Sequence, residues 1–287
     1  MKACRTLAVL ALVAGGAAHA ACLTDSEAAE LFDRFAQKAP ATLPAITSEA
    51  DGACSRAKFN ALLALQYGRV VGYKAGLTNP AVQKRFGADK PVWGVLYDGM
   101  ILDDGATVDA AFGTRPLFEA DMLVRVRSAA INGAKTPMDV LETIDQIIPF
   151  IELPDLVVAN PATLNSNAIS AINVGARLVV AGQPIIAPLF RAERYAMLDA
   201  LRDMTVVMSD GNGLELSRGK GSDILEHPLN AVVWLAGALA AKGLAMEPGQ
   251  WISLGSFSPL LPPKAGQKVV VRYEGLPGAL PVSVTFR

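Results

Sequence analysis

Glu119 and Asp121 stand two residues apart in Phe118-Glu119-Ala120-Asp121-Met122, and a third carboxylate, Glu152, is embedded in the apolar run from Ile147 to Leu153. On a strand an i, i+2 pair points to one face, whereas on a helix the two side chains lie about 200° apart. Carboxylates with apolar neighbours are costly to bury unless a proton, a base or a cation neutralises them. Three oxygen donors of this kind suit a hard divalent ion, and Mg2+ or Mn2+ fits the set best. From these residues alone a second placement stays open: Glu119 and Asp121 on the wet side of an antiparallel strand, with Glu152 at a partly exposed strand end.

The elements that position these groups follow from periodicity and capping signals. Thr24 and Glu27 have capping-box spacing, and Ala28, Leu31, Phe32 and Phe35 recur at helical intervals, which predicts a helix over 25–38. After a loop rich in Pro, Ala and Thr, Ser55 is expected to cap a second helix through Phe59, Leu62, Leu63 and Leu65, stopped by Gly68. Val70 to Lys74 reads as a strand, and Asn79-Pro80 opens a short helix ending near Gly87.

Beyond this the pattern is mostly β. Strands are expected at 93–97, 118–127, 147–153, 176–181, 204–209, 214–218, 250–254, 268–274 and 281–286. Asp210-Gly211-Asn212-Gly213 predicts a hairpin turn and Asn132-Gly133 another. Two helices interrupt the β region, at 137–146 and 228–242. Many short strands with few helices point to an α+β, β-rich domain rather than a doubly wound sheet.

Residues 1–20 carry the marks of a secretory signal: Lys2 and Arg5 precede the apolar stretch Leu7 to Ala14, and Ala18-His19-Ala20 supplies small residues before the cleavage point. The expectation is export, to the periplasm or beyond. The apolar stretch is short for a membrane span, so no membrane association is expected after cleavage. Loss of Lys2 and Arg5 leaves a slight acidic excess and no basic stripe, which argues against a nucleic-acid partner. Cleavage also removes Cys4 and His19, leaving His227, Cys22 and Cys54. One histidine excludes a His-rich metal site, and two cysteines cannot build a zinc cage by themselves. In an oxidising compartment those two thiols either pair, tying the mature N-terminus to the loop before the second helix, or stay free.

Four further segments, in order, extend the pattern: Gly72-Tyr73-Lys74-Ala75-Gly76-Leu77-Thr78, Glu119-Ala120-Asp121, Ser217-Arg218-Gly219-Lys220-Gly221 and His227-Pro228-Leu229-Asn230 running on to Ala236. With this order and spacing the chain resembles the fumarylacetoacetate hydrolase superfamily, in its branch of 2-oxopent-4-enoate hydratases and 4-oxalocrotonate decarboxylases. The resemblance covers nearly the whole mature chain. It implies a mixed β roll with a helical N-terminal region, here 21–68 ahead of a catalytic domain over 69–287.

The resemblance also implies a metal site of Glu119, Asp121 and Glu152, where the second position is one methylene shorter than the usual Glu. Lys74 takes the place of the family lysine, which donates a hydrogen bond or shuttles a proton beside a 2-oxo acid. Asn173, Gly255 and Ser256 fall at substrate-binding positions. Two departures stand out: Ile172 where an acidic residue is usual, and Leu254 where threonine is common, with Ser253 or Ser256 available to compensate. Gly219 and Gly221 match neither dinucleotide nor Walker spacing and read as an active-site loop or tight turn. His227, followed by Pro228, reads as a cap or packing residue at a helix start.

The expected reaction is hydration of a small unsaturated 2-oxo or 2-hydroxy acid such as 2-hydroxypenta-2,4-dienoate, supported by Mg2+ or Mn2+. The alternatives are a 2-oxo acid decarboxylase, an acylpyruvate hydrolase, or an exported non-catalytic binding protein for a chelating acid. The expected partner is the small-molecule 2-oxo acid, and the resemblance implies a homo-oligomer.

Overall fold

Capping and burial set the N-terminal helices. The computed structural model describes residues 22–287, so the expected signal sequence lies outside the described residues. Helix α1 (Asp25–Ala36) begins with the predicted capping box, in which Thr24 Oγ1 accepts from the Glu27 amide and Glu27 accepts from the Thr24 amide. It buries Ala28, Leu31 and Phe35. Helix α2 (Glu49–Tyr67) starts earlier than predicted, because Ser48 rather than Ser55 is its cap. Ser55 is wholly buried within the helix, where its hydroxyl accepts from the Leu23 amide at 2.9 Å. Cys22 and Cys54 are disulfide-bonded, so the bridge reaches the body of α2 and not a loop before it.

The chain then alternates in a mixed order: β1 (Val70–Gly76), α3 (Pro80–Arg85), β2 (Val92–Tyr97), β3 (Ile101–Asp103), β4 (Thr107–Val108), β5 (Glu119–Val126), α4 (Pro137–Thr143), β6 (Ile144–Leu153), α5 (Ser166–Ala171), β7 (Leu178–Ala181) and β8 (Ile185–Ile186). There follow α6 (Arg191–Asp203), β9 (Thr205–Asp210), β10 (Glu215–Lys220), α7 (Asn230–Ala240), β11 (Trp251–Ser253), β12 (Lys268–Glu274) and β13 (Val282–Phe286).

One sheet runs β2-β1-β11-β5-β6-β7-β3 with β8 on β6, and a second runs β10-β9-β12-β13-β4. β1 is parallel to β11 and antiparallel to β2, so the first sheet is mixed. The α+β class expected from the strand pattern is the architecture found. The two sheets are tied at their centre: the Tyr273 hydroxyl on β12 donates to the Asp121 carbonyl on β5 and accepts from the Phe150 amide on β6 at 3.0 Å.

Several boundaries differ from the sequence-based expectation. The helix predicted over 137–146 ends at Thr143, whose hydroxyl bonds back to the Asp139 and Val140 carbonyls; Ile144 already belongs to β6 and pairs with Val126. Asn132-Gly133 is no hairpin turn but part of a 3-10 turn over Ala129–Gly133, and the Asn132 amide clamps both backbone groups of Met246. Helices α5 and α6 were not predicted. The first is too short for a helical period to register, and the second buries only Met197 and Leu201 beneath a heavily charged surface. By contrast, Asp210 to Gly213 does link antiparallel β9 and β10, with Asp210 Oδ1 accepting from the Asn212 and Leu214 amides.

A buried ion pair joins the helical region to the sheet. Arg177 donates to Asp155 at 3.0 Å and to the Phe35 carbonyl at 3.0 Å, stacking over the Phe35 ring. Asp155 also accepts from the Thr114 and Arg115 amides, so the carboxylate's charge is shared among several donors, as burial of an ion requires.

Candidate active site

Strand register brings the predicted residues to one face of the first sheet. Glu119 on β5 is directly opposite Glu152 on β6. Asp121 is two residues along β5 and shares that face. Ser253 on β11 is paired with Leu123 of β5 and with Lys74 of β1, which carries the same face across to the lysine. The four strands therefore set Lys74, Ser253, Asp121, Glu119 and Glu152 side by side. The wet-strand placement is excluded: Lys74, Asp121 and Glu152 are 3%, 0% and 2% exposed, and Glu119 is half-buried.

Each buried charge has partners. The Lys74 ammonium donates to Glu152 in a short ion pair and to the Val174 carbonyl at 3.1 Å. Asp121 accepts from the Ser253 hydroxyl at 2.6 Å, from the Gly255 amide at 3.0 Å and from the Met122 amide. Burial, followed by the repulsion of Glu152, pushes the Asp121 carboxyl up to about 7 despite those donors. The same two causes, in the same order, raise Glu119 well above the usual carboxylate range. A crowd of acids sharing one lysine is short of positive charge.

Among the described residues no three acidic, histidine or cysteine side chains already converge as a metal cage. The reason lies in the pairings just described, since Glu152 is turned to Lys74 and Asp121 is engaged by three donors. The donor set nonetheless fits a hard divalent ion: all three are carboxylates, they share a face, and burial and mutual repulsion make two of them hold protons more tightly than usual.

A cavity of about 190 Å³ opens beside this face. Glu119, Thr78, Ser256 and the Gly255 backbone are among its polar lining, and Leu77, Phe86, Leu156 and Ile169 are among its apolar walls. Gly255 is required here on two counts. Its φ is +97°, and a Cβ would come within 2.1 Å of Thr78 Oγ1. Ser256 is spent mainly on its own loop, donating to the Ser258 carbonyl at 2.7 Å. A larger cleft, about 830 Å³, between Arg56, Trp93, Trp234 and Lys242 contains none of the strand carboxylates.

Asn173 is placed differently from the substrate contact expected of it. It is fully buried, with Oδ1 accepting from the Val95 amide at 2.7 Å and Nδ2 donating to the Val95 carbonyl at 2.9 Å. Both ends of the amide are thereby used to hold β2, and Asn173 does not line the cavity. Ile172 and Leu254, the two apolar departures, are buried in the core. Ser253 makes the side-chain bond to Asp121, while Leu254 contributes only its amide, to the Met122 carbonyl.

His227 caps the approach to α7 as predicted, accepting from the Leu229 amide and contacting the Leu198 carbonyl. Gly219 and Gly221 are close-packing positions, where a Cβ would meet the Phe257 and Leu201 carbonyls at 1.9 and 1.8 Å. Gly219 lies within β10, so the loop expected there is a strand edge.

Two contributors escaped sequence reading. The Val174 carbonyl acts through backbone, for which a side-chain motif gives no signal, and its orientation depends on left-handed φ values at Asn173 and Val174. Arg85, which also lines the cavity, belongs to a short helix whose charge alone does not set it apart from a surface residue.

No family model matches the chain. Over 212 residues it is 32% identical to 4-oxalocrotonate decarboxylase of Pseudomonas sp., covering 72% of this chain and 75% of that relative. It is 30% identical over 213 residues to 2-keto-4-pentenoate hydratase 1 of Dechloromonas aromatica, with coverage of 72% and 75%. Among solved structures, 4-oxalocrotonate decarboxylase from Pseudomonas putida G7, complexed with magnesium and adipate, superposes with a TM-score of 0.75 at 25% identity, over 93% of this chain and 100% of that one.

Proposed function

Given that this chain belongs to the 2-keto-4-pentenoate hydratase and 4-oxalocrotonate decarboxylase branch of the fumarylacetoacetate hydrolase superfamily, we propose that it is a divalent-metal-dependent hydratase of a small unsaturated 2-oxo or 2-hydroxy acid. The observation that carries this reading is the alignment of Lys74, Glu119, Asp121 and Glu152 on one sheet face beside the cavity. Glu119, Asp121 and Glu152 would hold Mg2+ or Mn2+. When bound, such an ion supplies a Lewis acid that lowers the energy of enolate charge on a 2-oxo acid.

The protein groups perform the remaining tasks. Lys74 holds a proton on Nζ at the buried end of the site, where the Val174 carbonyl fixes the ammonium and Glu152 balances its charge. The apolar walls of the cavity hold the unsaturated tail and limit water to the positions where it reacts. For 2-hydroxypenta-2,4-dienoate, the enol proton leaves the 2-oxygen and a proton is added at the terminal carbon, giving a conjugated enone. Addition of one water then yields 4-hydroxy-2-oxopentanoate.

The purified protein, mixed with 2-hydroxypenta-2,4-dienoate and Mg2+, should consume the dienol absorbance, and chelation should stop it. Calorimetric binding without decay would identify a binding protein instead, and release of carbon dioxide from a 2-oxo dioate would identify the decarboxylase. Either result overturns the hydratase reading. Export is part of the proposal: the basic and apolar start of the chain and the Cys22–Cys54 bridge both suit an oxidising compartment. Fractionation of producing cells should recover the chain outside the cytoplasm without its first residues, and recovery of an uncut cytoplasmic chain would contradict it.

A further inference from the structure

The larger cleft, of about 830 Å³, holds a buried cation that the reaction at the strand carboxylates does not use. Arg56 of α2 lines it and is only 5% exposed. Its guanidinium lies 3.5 Å from the centre of the Trp93 ring, and Nη1 donates to the Trp93 carbonyl and to the Ser170 hydroxyl, both at 2.8 Å. Among the described residues no carboxylate comes within ion-pair distance of it, and Glu49, which also lines the cleft, is taken by Lys90 at 2.7 Å. Burial lowers the Arg56 pKa to about 10, so the group stays charged at neutral pH. A buried charge is ordinarily paired, and this one is not.

Two donors on one edge of that guanidinium, Nε and Nη2, make no hydrogen bond among the described residues. Neither is sealed from solvent, and the cleft is the cavity that Arg56 lines. This is an edge whose two parallel N–H bonds match both oxygens of a carboxylate.

The cleft also offers an apolar surface. Trp234, Gly237, Ala238 and Ala241 recur at i, i+3, i+4 and i+7 along α7 and its C-cap, which sets them on one helix face, and all four line the cleft. The Trp234 ring is half-buried and has no aromatic or cationic partner among the described residues. Gly237 leaves open space, since a Cβ there would meet nothing within 4 Å. Lys242 adds a second cation without a paired carboxylate, and Asp89 is the one unpaired acid in the lining, so the charge balance is positive.

We propose that this cleft is a second ligand site, taking an aromatic carboxylate whose oxygens meet the Nε and Nη2 edge of Arg56 and whose ring lies on the Trp234 face of α7. An inorganic anion would use the guanidinium and leave the helix face bare; a neutral aromatic compound would do the reverse. The site is separate from the reaction assigned to the strand carboxylates, none of which lines the cleft.

Benzoate is the probe, with benzamide as its uncharged counterpart and inorganic phosphate as an anion without a ring. Titrated calorimetrically into the full protein in chelator, benzoate should bind about tenfold more tightly than either, the range of a hydrogen bond to a charged partner. Mg2+ should leave its affinity unchanged. Gly237→Leu fills the open space and favours the helix, so it should weaken benzoate about tenfold or more and melt no lower than the wild type. Arg56→Lys keeps the charge without the fork and should also weaken benzoate about tenfold.

No binding of benzoate, or equal binding of benzoate and benzamide, overturns the proposal. Equal binding of benzoate and phosphate overturns it as well and makes the cleft an inorganic anion site. Affinity that requires Mg2+ assigns benzoate to the strand carboxylates, with the same consequence. Wild-type affinity in Gly237→Leu is equally decisive, and that variant settles the matter should Arg56→Lys fail to fold.

Discussion

Lys74 and Glu152 form an ion pair almost wholly withdrawn from solvent, joining β1 to β6 across the intervening β11 and β5. The pair ties the expected proton carrier to an expected metal ligand. A cation entering this site must therefore compete with Lys74 for one carboxylate, and the lysine's charge is balanced by a group whose other duty is coordination.

Removing the lysine should leave Glu152 uncompensated in the interior. For Lys74→Met we expect a loss of about 3–5 kcal/mol in the metal-free protein, the range for breaking a buried pair at one end. Mg2+ should return part of that stability, while turnover should fall about 100-fold or more as the proton donor is gone. Chemical denaturation with chelator and with Mg2+ would test this, and an equal loss under both conditions would separate Glu152 from the metal site.

Metal-free stability should fall as pH rises toward 8. Asp121 titrates at about 7 in the folded protein against an ordinary value of 3.8. Its stabilising contribution is complete below about pH 4 and is lost as pH rises through about 7, because the unfolded chain ionises first. Mg2+ binding expels protons and should strengthen over the same interval, by up to about tenfold per pH unit for each proton released. Melting curves at pH 5 and pH 8, in chelator and in Mg2+, should show opposite trends.

Ser253→Ala should weaken Mg2+ binding by about 10–100-fold, the usual effect of losing a partner that orients a ligand. The serine hydroxyl bonds Asp121 at 2.6 Å, and among the described residues no other side chain donates to that carboxylate. Ser253→Thr should preserve most of the affinity if its methyl is accommodated. Calorimetric titration of Mg2+ into both variants distinguishes orientation of Asp121 from a general packing defect.

Reducing the Cys22–Cys54 bridge, which closes a sequence separation of 32, should lower stability by about 3–4 kcal/mol and leave activity intact. Neither cysteine lines the cavity beside the carboxylates. Denaturation with and without reductant measures the first expectation, and a dienol assay on the reduced protein measures the second.

Much of this architecture was legible in the chain because it depends on local signals. The Thr24 capping box, the turn at Asp210 to Gly213 and the apolar runs around Glu119 and Glu152 act over a few residues, so their spacing predicts helix, hairpin and strand directly. The start of the second helix is not legible locally, because Ser48 and Ser55 are both competent caps and the bond of Ser55 to the Leu23 amide, a contact distant in sequence, takes Ser55 into the helix body. Asn173 shows the same limit: an asparagine's type reveals that it will bond, while the proximity of Val95, distant in sequence, determines to what.

By itself the sequence determined which groups carry charge, that Glu119 and Asp121 share a strand face, and which family the motifs belong to. Only the tertiary structure decided that Glu152 lies opposite Glu119, that Lys74 neutralises it, and that Ser253 and Gly255 hold Asp121. The physical reason is range. Periodicity and capping are set by neighbours along the chain, whereas ionisation and hydrogen-bond pairing are set by neighbours in space, which strand order and register alone bring together.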